Sequence, residues 1–540
     1  MDDLQSLGGV PAEIFRLPLE GQTIQKRDPA RTEDEAPGAA LKPLVFRVDE
    51  STPEVVQSVL LERGWDKFDE QCQDVEDWNL YWRSSSFRMA EYVNIKPWQR
   101  LNHHPGMTNL TRKDRLAKHL ARMRRLYGES LYEFTPLTFV MPNDYTKFVA
   151  NYFKEKQDLG AKPSYWICKP AELSRGRGIV IFSDIRDFMF KGTYVVQRYI
   201  CNPLLVGRYK CDLRMYVCVT GFKPLTIYMY QEGLVRFATE KFDLSNLEDY
   251  YSHLTNSSIN KLGVSYQKIK EVVGQGCKWT LSRFFSYLRN WDVDDLLLRQ
   301  KINRMVILTV LAMAPSVPAT YNCFELLGFD ILIDDNLKPW LLEVNYSPAL
   351  TLDCSTDVSV KRSLVHDLIE LVYLNGLRSE EKKCGRISPR NSVVSLAGSS
   401  QSELCATPDS PSYASLIQLT MGSKSNPAAQ HLCPKHTRTS QLREMLNRQD
   451  RLLTREAAKS KPRHKPRHSP RKMLSPYASQ PQPHKMKGPT GVLPEAGSAP
   501  NDHAGNFVLI FPFNKATFGA SRNGLNVKRI IQELQKLMNK

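Results

Sequence analysis

Over residues 166–237 the chain breaks into short β-prone runs. They are Trp166-Ile167-Cys168-Lys169, Ile179-Val180-Ile181-Phe182, Tyr194-Val195-Val196-Gln197, the alternating Leu213, Met215, Val217 and Val219, Thr226-Ile227-Tyr228-Met229, and Leu234-Val235-Arg236-Phe237, mostly parted by Gly, Pro or Asp. This reads as a mixed, largely antiparallel sheet and sets the fold class as α+β. Helices are predicted next at 276–289 and 294–313, the second with an apolar stripe suited to burial, then two more strands and a closing helix at 358–375. Upstream, Leu44-Val45-Phe46-Arg47-Val48 is a first strand and 55–63 a helix opened by Ser51-Thr52-Pro53. Trp65, Trp78, Tyr81, Trp82 and Trp98 supply the core of a small N-terminal α/β domain, and a basic helix spans 112–127.

Charge is unevenly placed. The 540 residues carry 74 Lys plus Arg against 57 Asp plus Glu, a net +17. Residues 435–487 hold +12 of this and 488–540 another +3, which leaves only +2 on the first 434 residues. The body is near neutral, which argues against a strongly basic globular nucleic-acid reader. Eleven cysteines form neither a Cys-x-x-Cys pair nor a Cys/His cluster and read as reduced thiols of an intracellular protein. Met1-Asp2-Asp3-Leu4 starts no apolar signal segment, and the apolar run at 305–314 is half a bilayer-spanning length, so no membrane span is expected. Residues 1–42 are polar and Pro/Gly-punctuated, a flexible leader. Beyond 379 the Ser, Pro, Lys and Arg content predicts a mostly disordered basic tail, interrupted by amphipathic helices at 440–458 and 527–538. That tail would suit attraction to an acidic surface, or serve only as a solvated linker.

The chemistry concentrates in three places. In Gly328-Phe329-Asp330-Ile331-Leu332-Ile333, Asp334-Asp335-Asn336-Leu337 and Lys338-Pro339-Trp340-Leu341-Leu342-Glu343-Val344-Asn345, the middle four residues signal a turn between two strands. If 334 and 337 close it, Asp330 lies opposite Leu341, with Glu343 its diagonal neighbour and Asn345 on the same face. Two carboxylates and an amide oxygen at a sheet rim suit a hard divalent cation that completes its shell with water and phosphate; the plainer reading is a hairpin with polar residues on its wet face. Second, Lys169-Pro170 and Ser174-Arg175-Gly176-Arg177-Gly178-Ile179 form a strand, a short basic glycine loop and a strand, able to lay N–H groups and cations over a triphosphate, or to be an ordinary exposed loop. Third, Lys210, Asp212 and Arg214 share one strand face, opposite Cys211, Leu213 and Met215, near Gln197-Arg198-Tyr199-Ile200, Arg236 and Thr255-Asn256.

In their order and spacing, Lys169-Pro170, Arg175-Gly176-x-Gly178-Ile179, Gln197-Arg198-Tyr199-Ile200, Lys210-x-Asp212-x-Arg214, His253-Leu254-Thr255-Asn256, Gly328-Phe329-Asp330 and Glu343-Val344-Asn345 resemble the tubulin–tyrosine ligase-like family of ATP-grasp amino-acid ligases. The Ser-Pro after Tyr346 is most similar to its polyglutamylase branch. The likeness spans residues 43–378: an N-terminal and central α/β part at 43–160, an ATP-grasp catalytic domain at 161–378 with mixed and antiparallel sheets, and the tail at 379–540. It implies that ATP is held by Lys113, Lys169, Arg175, Gly176, Arg177, Gly178, Ile179, Gln197, Arg198, Tyr199, Ile200, Lys210, Cys211, Asp212, Thr255 and Asn256. It further implies one or two Mg2+ ions on Asp330, Glu343 and Asn345, and an amino-acid substrate gripped by Arg236 with Ser257, Ser258, Lys278 and Tyr346 as neighbours. Arg236, Lys169 and Glu343 would be the residues that carry catalysis. The implied reaction phosphorylates the γ-carboxylate of a glutamate in a tubulin tail, and free L-glutamate then displaces phosphate. A glycine or tyrosine ligase, and a silent microtubule-binding adaptor, are the alternatives. Implied partners are tubulin and microtubules, with room for accessory subunits and without nucleic acid or membrane, in a cytoplasmic, cytoskeletal setting that includes the axoneme and basal body of cilium or flagellum.

Overall fold

The computed structural model describes residues 43–187, 192–273, 277–320, 322–373, 500–522 and 524–539. The leader at 1–42, the basic stretch at 435–487 and the predicted helix at 440–458 lie outside them. Three sheets organise the chain. The first, in the order β2-β1-β3-β4, pairs β1 (Val45–Val48), β2 (Asp66–Lys67), β3 (Leu80–Trp82) and β4 (Arg100–Leu101) in parallel. The helix Glu54–Glu62 starts after Pro53 and buries Val55, Val56, Val59 and Leu60, the one-sided spacing its sequence carries. Trp78, Tyr81, Phe87 and Tyr92 pack edge to face as a core, as their density suggests, while Trp98 is left exposed.

The second sheet is antiparallel, in the order β5-β8-β6-β7, from β5 (Thr138–Met141), β6 (Trp166–Pro170), β7 (Val180–Phe182) and β8 (Tyr194–Arg198). One of its faces packs Phe139, Trp166, Cys168, Phe182 and Val196 against Phe148 and Tyr152 of the helix Tyr145–Leu159. Because side chains alternate along a strand, Lys169, Gln197 and Thr138 emerge on the other face.

The third sheet runs β14-β13-β10-β11-β16-β15, antiparallel throughout, with β9 (Leu205–Val206) on β10 and β12 (Lys278–Thr280) on β11. Its long members are β10 (Tyr209–Phe222), β11 (Leu225–Lys241), β13 (Glu325–Ile333) and β14 (Pro339–Asn345); β15 (His503–Ala504) and β16 (Phe507–Phe511) complete it. The runs 226–229 and 234–237, expected as two strands, are one. Gly233 lies between them where a Cβ would stand 2.5 Å from the Arg214 carbonyl oxygen, so only glycine lets the strand continue this close to β10. The helix expected from 276 begins at Leu281, capped by Thr280, because Lys278–Thr280 extends to pair with β11. The helix Asp295–Met313, capped by Asp294, buries every residue from Met305 to Met313. The closing helix spans Ser355–Tyr373 within the described residues.

The hairpin register differs from the expected one twice. Asp334 accepts from the N–H groups of Asn336 and Lys338, so the turn is one residue longer and Ile333 faces Pro339. A bulge at Leu342 then shifts β14 again, and Asp330 stands directly across from Glu343 rather than diagonal to it.

Within the stretch 379–540 the described residues are 500–522 and 524–539, where the expected helix at 527–538 is present and a strand that was not expected precedes it. Strand β16 pairs along the edge of β11, from Ile227 opposite Phe511 to Tyr230 opposite Phe507. Phe507, Ile510, Phe511, Ile530, Ile531 and Leu534 are 0–4% exposed, the last three on the predicted helix Val527–Met538. Asp367 on the closing helix accepts from the Asn506 N–H and side-chain amide and from the Tyr230 hydroxyl. An apolar Phe-Val-Leu-Ile-Phe run next to an unpaired strand edge buries itself there, whatever the average composition around it.

Candidate nucleotide and carboxylate site

A cleft lies where the inner face of the second sheet meets the β10, β11 and β13 face of the third. Lys113 begins the helix Lys113–Tyr127, donates to the Leu173 carbonyl at 2.9 Å and lies 3.5 Å from Glu343. Lys169 on β6 donates to Gln197 Oε1 at 2.9 Å; Gln197 Nε2 donates to the Thr138 hydroxyl, which donates to the Pro136 carbonyl. Burial pulls Lys169 down to about 8, against the opposing pull of Glu343. Lys210 on β10 donates to the Tyr199 hydroxyl at 2.8 Å and is drawn down by burial to about 7, with Asp212 opposing. Among the described residues neither lysine forms an ion pair within 4.0 Å, so both offer charge to an anion.

The glycine loop closes one wall. Arg175, Gly176 and Gly178 all have positive φ, and at Gly176 a Cβ would stand 2.3 Å from Ile259 Cδ1 and 3.1 Å from Asn256 Oδ1. Its lack of a side chain seats the loop against the Asn256–Ile259 segment; Ser258 Oγ donates to the Arg175 carbonyl. In the Gln197–Ile200 segment the N–H groups of Arg198 and Tyr199 bond to Leu137 and Tyr165 carbonyls, and the Arg198 side chain leaves the cleft to pair with Glu155.

The charged stripe expected on β10 is buried rather than solvated. Asp330 takes a two-pronged contact from Arg214 and a further one at 2.9 Å from Arg236, while Arg236 also grips both oxygens of Asp212. Burial alone would raise the Asp330 carboxyl; the two guanidinium groups outweigh it and hold it well below the usual carboxylate range. Glu343 is partly exposed across from it, and Asn345 donates to Glu343 Oε1 at 3.3 Å. Among the described residues no group of three or more His, Cys, Asp or Glu could hold a metal alone. The set present, two facing carboxylates and one amide oxygen beside lysines, fits a hard cation that shares its shell with phosphate.

Most residues singled out in the sequence line this cleft: Lys113, Lys169, Arg175, Gly176, Arg177, Ile179, Gln197, Arg198, Tyr199, Ile200, Lys210, Asp212, Arg236, Thr255, Asn256, Asp330 and Glu343. Others lie elsewhere. Cys211 points to the opposite face and into the main core, as strand alternation requires. Lys278 sits beside Arg236 in register, but its ammonium is bound to Asp357 at 2.6 Å. The Tyr346 ring packs on His103, with its hydroxyl donating to the Ser84 carbonyl. Gly178, Ser257, Ser258 and Asn345 adjoin the cleft without lining it. Ile167, Leu332 and Leu342 do line it and were not expected, and His253, quoted in its motif without a role, lines it too. Ile167 and Leu332 are two residues from Lys169 and Asp330 on the same strand faces, so alternation could have found them; Leu342 faces the cleft only because of the bulge.

The mixed α+β architecture, with cationic strands and a glycine loop facing a carboxylate pair across two sheets, is that of an ATP-grasp-like ligase. The model of the tubulin-tyrosine ligase family matches residues 91–381, and the chain belongs to that family. It is 87% identical over 540 residues, the whole of both chains, to the mouse protein named "Probable tubulin polyglutamylase TTLL2", and 68% identical over 523 residues to the human protein of that name, covering 96% of this chain and 88% of the relative. The mouse protein named "Tubulin polyglutamylase TTLL5" is 37% identical over 341 residues, 61% of this chain and 25% of the relative.

Proposed function

We propose that this chain is a tubulin polyglutamylase, an ATP-dependent ligase that joins free glutamate to the γ-carboxylate of glutamates in tubulin C-terminal tails. The observation that carries the reading is the cleft itself: Lys210, buried, and Lys169, partly buried, neither ion-paired among the described residues, face the Asp330 and Glu343 pair, on a chain alike over nearly its whole length to proteins named as polyglutamylases.

Lys113, Lys169, Lys210 and the Arg175–Gly178 loop would bind the phosphates, and the Gln197–Ile200 segment the adenine, against the apolar side chains of Ile167 and Leu332. Asp330, Glu343 and Asn345 would hold one or two magnesium ions, which supply charge neutralisation at the transferring phosphoryl group. In the first step an acceptor carboxylate oxygen bonds to the γ-phosphorus as the bond to the β-phosphate oxygen breaks, giving acyl phosphate and ADP. In the second the amine of free glutamate bonds to the acyl carbon, phosphate leaves, and the nitrogen loses a proton. No side-chain nucleophile is required, so the protein contributes position and field. Arg236 spends Nε and Nη2 on Asp212 and Asp330; its Nη1 would take the carboxylate of the incoming amino acid, with Ser257, Ser258 and Lys278 nearby. The setting is the microtubule cytoskeleton, including cilium or flagellum, with accessory subunits where needed.

Incorporation of radiolabelled glutamate, glycine and tyrosine into microtubules by the purified chain, with ATP and magnesium, tests this. Glutamate alone should be incorporated, and Glu343→Gln should abolish it. Glycine or tyrosine incorporation would replace the substrate assignment, and microtubule pelleting without incorporation of any of the three would favour an adaptor.

A further inference from the structure

His253 belongs to the His253-Leu254-Thr255-Asn256 run, yet only the last two residues have a role in the reading above. It is 1% exposed at the end of the short helix Tyr250–His253. Its Nε2 lies 2.9 Å from the Asn246 carbonyl and its Nδ1 2.9 Å from the Tyr199 hydroxyl, which in turn accepts from Lys210 at 2.8 Å. A carbonyl only accepts, so Nε2 carries a hydrogen, and in the neutral ring Nδ1 is an acceptor. The Tyr199 hydroxyl therefore donates to Nδ1, and its lone pairs face Lys210. Each bond direction fixes the next, from Asn246 to the cleft.

We propose that His253 is a positioning residue that acts through the Tyr199 hydroxyl on the Lys210 ammonium, keeping that cation oriented toward the anionic part of the nucleotide. This rests on the nucleotide-binding reading given above. Both ring nitrogens are committed to protein groups, so His253 itself reaches no phosphate. The Lys210 ammonium also lies over the Tyr199 and Phe242 rings, 4.5 Å and 5.7 Å from their centroids, and Phe242 meets the His253 ring edge-on at 5.5 Å. The aromatic walls hold the cation without neutralising it, and the hydroxyl fixes the direction of one of its three N–H bonds. Among the described residues the other two meet no protein acceptor and are left for the ligand.

Protonating His253 would reverse this order. A hydrogen on Nδ1 would donate to the Tyr199 oxygen and turn the hydroxyl hydrogen toward Lys210, so that two donors face each other. The charged groups around the ring are Lys210 on β10 with Asp243 and Asp249 on the segment before the helix; burial and Lys210 disfavour the imidazolium, and the two carboxylates and the Asn246 bond favour it. The balance lies below the usual histidine range, which keeps the chain of bonds in its working direction near neutrality.

The test is calorimetric binding of ADP with magnesium to the full chain, wild type beside Tyr199→Phe, His253→Phe, their double variant and His253→Gln. Glutamine can accept from Tyr199 and donate to Asn246 as histidine does. Tyr199→Phe and His253→Phe should each weaken binding about 10-fold, on the order of one hydrogen bond to a charged group. The double variant should be no weaker than either alone, and His253→Gln should bind within about 2-fold of wild type while lacking the wild type's loss of affinity on acidification. A purely structural role would not give this rescue or this non-additivity. Wild-type affinity in His253→Phe, effects that add, or a His253→Gln variant as weak as His253→Phe would overturn the proposal. If His253→Phe does not fold, Tyr199→Phe, which deletes one oxygen, with His253→Gln decides it: unchanged binding in the first or lost binding in the second refutes it. No ADP binding by wild type would overturn the nucleotide reading as well.

Discussion

Raising the pH should loosen nucleotide binding while tightening the empty fold. Lys169 and Lys210 sit at about 8 and about 7, each below the ordinary lysine value of 10.5. If the bound triphosphate requires both ammonium groups, affinity falls with the protonated fraction of each. Between pH 7 and 9 Lys169 goes from about nine-tenths to about one-tenth protonated, roughly a 10-fold loss, and Lys210 from about one-half to about one-hundredth, roughly 50-fold. At pH 7 binding should take up about half a proton at Lys210 and about a tenth at Lys169. The fold responds with the opposite sign. In this window the unfolded chain, whose lysines titrate near 10.5, binds more protons than the native one, so the stability of the nucleotide-free protein rises with pH, by up to about 1.4 kcal/mol per pH unit for each lysine. Calorimetry of ADP binding in two buffers of different ionisation enthalpy, and urea midpoints at pH 7 and 9, measure the two slopes. Affinity independent of pH with no proton uptake would refute the assignment of these lysines as uncompensated cations facing the ligand.

Three further outcomes follow from the packing. Gly176→Ala places a methyl group 2.3 Å from Ile259 at positive φ; it should cost about 1–3 kcal/mol locally and weaken ADP binding more than it lowers the melting temperature, and equal affinity would remove the loop from the site. Asp330→Asn leaves the buried Arg214 and Arg236 underpaired and should destabilise by about 3–5 kcal/mol, whereas Glu343→Gln at the partly exposed rim should abolish activity at little cost in denaturant midpoint. A chain ending at residue 499 loses six buried apolar side chains, roughly 9–18 kcal/mol at about 1.5–3 kcal/mol each, comparable with a whole domain's stability; soluble, cooperative unfolding of that chain would show that β16 is dispensable.

Much of the fold was legible because its signals are local. Alternation set which side chains share a face on β10 and β13, while the family resemblance implied that Lys169, Gln197, Lys210, Asp212 and Asp330 serve one site, and all five line one cleft. What alternation cannot carry is register across a turn: the longer Asp334 loop and the Leu342 bulge each shifted β14 by one residue, and together they brought Glu343 straight across from Asp330. Nor does a strand face disclose who satisfies its charges. Arg236 was expected to grip the substrate's carboxylate, but Asp212 and Asp330 also converge on it, from β10 and β13, once the sheet has formed. Strand β16 was hidden for a different reason, since averaging over a Pro- and Ser-rich segment masks five apolar residues whose partner lies almost 300 positions earlier.

That last pairing makes synthesis of the sheet wait for its final piece. Every motif of the cleft lies before residue 346, and the family match ends at 381, yet the edge of β11 is closed only by residues 507–511. At about 5–20 residues per second, translation from the end of the closing helix to β16 takes roughly 7–27 s, during which the nascent protein has a full set of functional residues and an open strand edge. A message cut short anywhere in that interval would encode the entire cleft and an unfinished sheet, so the final strand serves as a proof of length.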